Sequence, residues 1–190
     1  MFFNAHEPHS DLRNIKKQNL SILFYHDNRK NCNFADTCTN VYPNHYQLTM
    51  QSDPKQCLYC TNNQTLHDLM IEICQLQVSR VFLFKEQTYR GRCLVAYKDH
   101  VNDLNELSDE QRNQFMADVA RVTRAMQRAF NPEKINYGAY SDKLSHLHFH
   151  LAPKYVDGPD YGGTFQMNPG KVYLSDAEYQ EMIAQIKAHL

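Results

Sequence analysis

Residues 146–150 of this chain read His-Leu-His-Phe-His. In an extended strand, side chains two apart share a face. His146, His148 and His150 would therefore line one face at steps of about 6.6 Å, with Leu147, Phe149 and Leu151 on the other. The apolar side packs on a core. The imidazole side belongs on a polar, open face, because buried ring nitrogens need hydrogen-bond partners. Three aligned imidazoles suit two chemistries. They can hold a catalytic metal, as in a three-histidine zinc site. Alternatively, one of them is a nucleophile, since imidazole is largely neutral near pH 7 and has a lone pair available. A metal site of that kind takes its third ligand from another strand, so the run alone leaves both open.

Further metal-ligating types lie upstream. Cys57-Leu58-Tyr59-Cys60 is a CxxC pair, which in isolation reads as half of a zinc knuckle, a redox pair or neither. The redox reading lacks the βαβ context it needs. His26, Cys32, Cys38 and His45 could form a second metal site, but their spacing matches no recognised finger. Cys74 and Cys93 sit in apolar surroundings and read as core thiols. Lys134, Lys143 and Lys154 read as solvated charges, with attraction of phosphate as the alternative. The loop Gly158-Pro159-Asp160-Tyr161-Gly162-Gly163 either covers a ligand or merely connects two elements.

The elements that must position these residues are legible from Pro54 onward. Thr65 to Leu76 has helix-forming composition, with Leu69, Ile73 and Leu76 on one face. Val78 to Phe84 and Cys93 to Tyr97 are β-prone runs around Tyr89-Arg90-Gly91-Arg92, which predicts an antiparallel pair. Ser108 with Gln111 forms a capping box. It opens a long helix with Phe115, Val119, Val122, Met126 and Phe130 inward, and Pro132 stops it. Ile135 to Tyr140 and Ser145 to Leu151 read as two more strands. Ser175 with Glu178 caps a C-terminal helix with Tyr179, Met182, Ile183 and Ile186 inward. The expectation is α+β: an antiparallel sheet of two hairpins, a long crossing helix and a C-terminal helix.

All six glycines lie from Gly91 onward, and residues 1–52 are polar with one apolar run, Ser21 to Tyr25, that reads as a short strand. A boundary near Ser52-Asp53-Pro54 divides an N-terminal extension of unknown role, 1–52, from a catalytic domain, 53–190. A formal net charge of -1 gives no global attraction to nucleic acid or acidic membranes. No window approaches the roughly 20 apolar residues of a membrane span, and the N-terminus lacks the apolar block of a secretory signal. These point to the cytoplasm, where cysteines remain reduced.

The segment His146-Leu147-His148-Phe149-His150-Leu151-Ala152 resembles the signature of the histidine-triad (HIT) superfamily. Gly91-Arg92-Cys93-Leu94-Val95-Ala96-Tyr97-Lys98-Asp99-His100 is similar to that family's first-hairpin segment. Ile135-Asn136-Tyr137-Gly138 stands where members carry a phosphate-side Asn, and Ala152-Pro153-Lys154-Tyr155 is similar to the Pro-Arg-Tyr ending of some bacterial members. The likeness spans roughly 53–190; residues 1–52 have no counterpart in it.

What the resemblance implies is hydrolysis or transfer at the α-phosphate of a nucleoside phosphate compound, such as a dinucleoside polyphosphate or a phosphoramidate. His148 would be the nucleophile, passing through a covalent nucleotidyl-imidazole intermediate. His150 and Asn136 would bind phosphate oxygens or orient the leaving group. Arg92, Lys143 and Ser145 would stand on the substrate side. Arg92 replaces a common His, and Lys143 stands where Ser or Thr is usual. Cys57, Cys60, His100 and His146 match a structural zinc site of some relatives. Members usually pair as homodimers, so a small-molecule nucleotide and a second copy are the implied partners. The competing readings are a metal-dependent hydrolase with the triad as catalytic ligands, and a zinc-stabilised nucleotide-binding module without turnover.

Overall fold

Two β-prone stretches joined by a Gly-containing turn, with a third strand the sequence does not announce, build the first half of the sheet. The structure is a computed structural model that describes residues 53–143 and 145–190. The N-terminal extension, its expected strand at Ser21 to Tyr25 and the candidate second site at His26, Cys32, Cys38 and His45 lie outside the described residues. Among the described residues the order is α1 (Leu58–Thr61), α2 (Gln64–Leu69), β1 (Met70–Gln75), β2 (Ser79–Phe84) and β3 (Cys93–Tyr97). Then follow a 3-10 turn, α3 (Asp109–Phe130), β4 (Lys134–Gly138), β5 (His148–Lys154) and α4 (Asp176–Lys187).

The five strands form one antiparallel sheet in the order β1-β2-β3-β5-β4. The α+β expectation with a long helix and a C-terminal helix holds. Strands β2 and β3 pair from Ser79↔Tyr97 to Leu83↔Cys93. Central β3 is buried along its whole length, which suits its unbroken apolar composition. Both capping boxes are present, Ser108 with Gln111 and Ser175 with Glu178. Asn131, left-handed at φ 48, ends α3 just before Pro132.

The two faces of the sheet carry different covers. On one, Val81, Val95 and Leu151 pack under α3 through Phe115, Val119, Val122 and Met126, and under α4 through Met182 and Ile186. On the other, Phe82, Phe84, Leu94 and Ala96 pack under the α1–α2 segment through Leu58, Tyr59 and Leu66. The paired residues Ala96↔His148 and Leu94↔His150 put the histidines on this second face. No described helix is long and apolar enough to cross a membrane.

Two expectations are corrected. Thr65 to Leu76 is not one helix. It breaks at Leu69 and continues as β1, which pairs with β2 from Met70↔Phe84 to Gln75↔Arg80. Leu69 joins the cluster on the histidine face, whereas Ile73 and Leu76 pack on the opposite core. A register shift between Glu72 and Cys74 lies where Ile73 and Leu76, three apart, reach the same core, and cross-strand packing outweighs intrinsic propensity. The last strand also differs from the span Ser145 to Leu151. It starts at His148 and runs to Lys154. Leu147 instead bridges by its N–H to Val101 and its carbonyl to the Tyr97 N–H.

Candidate active site and metal centre

The covered face decides the state of every triad histidine. His146, His148 and His150 are 1%, 2% and 5% exposed, not on an open polar face. Tyr59, from the CxxC turn, lays its ring 4.8 Å from that of His146 and 5.3 Å from that of His148. The rings of His148 and His150 are 5.0 Å apart and nearly perpendicular. Buried imidazoles must find partners, and each of the three does.

The partners define the proton positions. A carbonyl oxygen only accepts, so His148 donates from Nδ1 to the His146 carbonyl at 2.6 Å. Its Nε2 therefore keeps the lone pair. His146 donates from Nε2 to the Tyr97 carbonyl at 2.8 Å and keeps its lone pair on Nδ1. A guanidinium only donates, so His150 Nδ1 accepts from Arg92 Nη2 at 3.0 Å. Its hydrogen is then on Nε2. His148 and His150 thus carry opposite tautomers.

Burial favours the neutral ring in each case. It lowers His146 to about 4 and acts on His148 in the same direction. For His150, burial and then the Arg92 charge lower the ring to about 2. All three imidazoles are therefore uncharged at neutral pH.

A cavity of about 200 Å³ opens on this pair, lined by His148, His150, Tyr59, Tyr140, Lys143 and Met167 among others. Its walls are largely apolar, with Leu69, Phe84 and Leu94 beside the rings. A larger cavity, about 300 Å³, lies at α4 between Arg90, Glu178 and Met182. It holds no histidine or cysteine, and its carboxylates Glu178 and Glu181 are solvent-exposed, so the smaller one is the candidate site.

The remaining expected site residues divide. Lys143 reaches the triad cavity. Ser145 lines a neighbouring hollow with Cys57 and Lys143, and its hydroxyl donates to the Ser141 carbonyl at 3.2 Å. Asn136 shares the histidine face through Asn136↔Ala152. Its side chain opens on a different cavity, with Lys134, Lys154 and Tyr161, and its Oδ1 is buried without a partner. Arg92 is fully buried behind His150, not at the cavity mouth. Lys154 is 3% exposed, not solvated, and donates to the Pro159 carbonyl. The glycine-containing loop lies beside Asn136 and Lys154 rather than over the triad. Sequence reasoning passed over Tyr59, Tyr140, Met167 and Asn168. Tyr59 was marked only by its place between the cysteines. Met167 and Asn168 carried no signal, since a coil some 17 residues downstream of His150 brings them back.

The cysteines meet the histidines as expected. The ligand atoms of Cys57, Cys60, His100 and His146 lie within 4.8 Å of one another, so these four could hold a metal ion. Cys57 Sγ is 3.4 Å and Cys60 Sγ 3.6 Å from His146 Nδ1, and Cys60 Sγ is 3.2 Å from His100 Nδ1. The Nδ1 lone pair of His146 faces the cluster while its Nε2–H is held by Tyr97, the orientation metal-bound imidazoles need. Without a cation, burial and the adjacent Cys57 push the Cys60 thiol up to about 12. Arg80 ties this knuckle to the sheet, donating to the Tyr59 carbonyl at 3.0 Å and to Asn62 at 2.8 Å.

Residues 71–157 match the HIT domain family. Adenosine 5'-monophosphoramidase of Schizosaccharomyces pombe is 29% identical over 89 residues, 44% of this chain and 64% of that protein. The chain thus matches less than two thirds of that relative's length. Among solved structures, a histidine triad protein from Bradyrhizobium japonicum superposes with a TM-score of 0.62 at 20% identity, over 67% of this chain and 95% of that one. A Zn-bound histidine triad family protein from Mycobacterium smegmatis gives 0.53 at 20% identity, over 72% and 96%. These structures share the fold. The domain match and the triad seated in that fold mark residues 71–157 as a HIT domain.

Proposed function

We propose that this chain cleaves a nucleoside phosphate compound at its α-phosphorus, with His148 as the nucleophile. The observation that carries this reading is the hydrogen bond from His148 Nδ1 to the His146 carbonyl. It leaves the Nε2 lone pair on a neutral ring beside a largely apolar cavity, so no separate base is needed. Attack of Nε2 on phosphorus forms a P–N bond as the bond to the leaving group breaks, and the leaving group departs with a proton taken from solvent, which the attacking water of the second step gives back. Water then attacks the same phosphorus, the P–N bond breaks, and the ring returns to its neutral form. His150, with its hydrogen on Nε2, would donate to a non-bridging oxygen whose charge grows in both steps. The apolar walls suit a nucleoside's base and sugar, and Lys143 offers a point charge for phosphate.

Phosphoramidates and dinucleoside polyphosphates are the substrate classes we favour, the first supported by the monophosphoramidase named among the relatives. The decisive experiment mixes the protein briefly with adenosine phosphoramidate or a diadenosine polyphosphate and maps the peptides by mass spectrometry. A nucleotidyl adduct on His148, absent in His148→Ala, is expected. Turnover of every nucleotide at an undiminished rate in His148→Ala would remove this reading. A ligand that binds unchanged and leaves no adduct would favour the binding-module reading.

The cysteine–histidine cluster we assign to structural zinc. Zn–S near 2.3 Å and Zn–N near 2.05 Å in a tetrahedron require S···N edges of about 3.6 Å and an N···N edge of about 3.3 Å. The S···N separations here are 3.2 to 3.6 Å, and His146 and His100 Nδ1 are 3.4 Å apart. The Mycobacterium smegmatis relative is a Zn-bound protein. When bound, the ion would supply only a cross-link between the CxxC turn, His100 three residues past β3 and the start of the triad. A metal-dependent hydrolase on all three histidines draws no support from this arrangement, since His146 turns its lone pair toward the cysteines and His150, accepting at Nδ1 from Arg92, carries its hydrogen on Nε2. We further propose a twofold dimer, supported by the open edge of β4, where Tyr137 is 49% exposed. Sedimentation equilibrium tests it.

A further inference from the structure

Arg92 stands immediately before β3 and is 0% exposed, although it carries a guanidinium. Among the described residues no carboxylate lies within ion-pair distance of it. Its head is held between two rings, 4.5 Å from the centre of Phe84 and 5.0 Å from that of Phe165. Nη1 donates to the Met167 carbonyl at 2.6 Å and to the Gln166 carbonyl at 3.3 Å, and Nη2 donates to His150 Nδ1 at 3.0 Å. One side chain therefore grips both the coil that carries Met167 into the cavity and the ring of a triad histidine.

We propose that Arg92 is a positioning residue that fixes His150 as a neutral Nε2–H donor, its only partly compensated charge being completed when an anionic group binds at His150. This deepens the catalytic reading and rests on it for the identity of the anion as a phosphate. The chemistry of the pair leaves one arrangement. A guanidinium has five N–H groups and no acceptor, so His150 Nδ1 must present its lone pair. Protonating that nitrogen would set two N–H groups face to face. His150 consequently offers a hydrogen bond but cannot deliver a proton as an imidazolium, and the leaving group must take its proton from elsewhere. Buried Glu86, beyond ion-pair distance, offsets this cation only in part, so an anion arriving at His150 is still favoured. The charge then acts through the ring, strengthening the Nε2–H bond to that anion.

The titratable groups that face His150 are few. They are Arg92 itself, His148 from the same strand, Tyr140 after β4, and Tyr59 and Lys143 around the cavity. Among the described residues only Arg92 meets a nitrogen of the ring. The guanidinium orientation is also over-determined, because the two phenyl faces and two carbonyls hold it without help from His150.

Ring nitrogen NMR on the full chain, labelled with 15N-histidine, tests this without any turnover. In the wild type, His150 is expected to show an unprotonated Nδ1 and a protonated Nε2, unchanged from about pH 8 to about pH 5. In Arg92→Met the tautomers should mix and the ring should begin to titrate within that range. Inorganic phosphate should shift the Nε2 signal of the wild type and bind at least about tenfold more weakly to Arg92→Met. A wild-type His150 with hydrogen on Nδ1, or as an imidazolium above about pH 5, overturns the proposal even if the variant does not fold. So does a folded variant with the same tautomer and the same phosphate affinity. Absence of an adduct at His148 with this tautomer intact would sink the catalytic reading alone, and the reverse pattern would sink this inference alone.

Discussion

The ring of His148 donates to the backbone carbonyl of His146 at 2.6 Å, while the ring of His146 turns its own lone pair toward Cys57 and Cys60. One carbonyl thus joins the candidate metal centre to the candidate nucleophile. A movement of His146 is a movement of the partner that sets the tautomer of His148.

Removal of the sulfur ligands should therefore be felt at both places. Cys57→Ser/Cys60→Ser is expected to lose one bound metal ion per chain and to fall in stability by several kcal/mol, because binding to a folded site is folding free energy. Metal analysis paired with calorimetry checks this. Equal metal content and an equal melting temperature in the double variant would exclude the assigned ligands.

Activity should rank by distance from the reacting nitrogen. On a phosphoramidate substrate, His148→Ala should lower kcat by about 10³-fold or more, as loss of a nucleophile does. His150→Ala should lower kcat/KM by about 10²-fold, the effect of losing one charge-stabilising donor. Asn136→Ala should stay within about tenfold, since its side chain opens on a separate cavity. Steady-state kinetics on the three variants decide the order, and a loss at Asn136 equal to that at His148 would move the substrate toward the Lys134–Lys154 side.

Acid should destabilise the fold through His150. Its folded value is about 2 against an ordinary value near 6.5. Between those limits the unfolded chain binds a proton that the folded chain refuses, so stability rises with pH. The contribution is whole above about pH 6.5 and is lost progressively as pH falls toward 2, by at most about 1.4 kcal/mol per pH unit. Urea unfolding at pH 7, 6 and 5 should show that slope, reduced by this amount in His150→Gln. An identical slope in the two proteins would contradict a neutral, buried ring.

The turn between β2 and β3 depends on one glycine. Gly91 has φ +86, and a Cβ there would lie 2.6 Å from a ring carbon of Phe130 at the end of α3. Gly91→Ala should cost about 1–3 kcal/mol, part dihedral and part clash. Phe130→Ala in that background should recover the clash and not the dihedral portion, which a double-mutant cycle by chemical denaturation would separate.

Most of the fold was legible because its signals are local. Both capping boxes, the Asn131-Pro132 stop and the stripe from Phe115 to Met126 follow from residues within a few positions of one another, and each is realised. β1 was not legible. Its residues Met70–Gln75 read as helix because Leu69, Ile73 and Leu76 fall at helical spacing, and only pairing with β2 makes them a strand.

For the site, residue types and spacing were enough to single out His146, His148 and His150, whereas the set Cys57, Cys60, His100 and His146 came from the resemblance to the histidine-triad family. Alternation and donor chemistry are properties of the chain itself. What the tertiary structure alone decided is where the protons sit and which atoms face the cavity. The carbonyl of His146, the guanidinium of Arg92 and the ring of Tyr59 reach the histidines from separate segments. The hydrogen-bond partner of a ring nitrogen selects the tautomer, and that partner exists only once the sheet has closed.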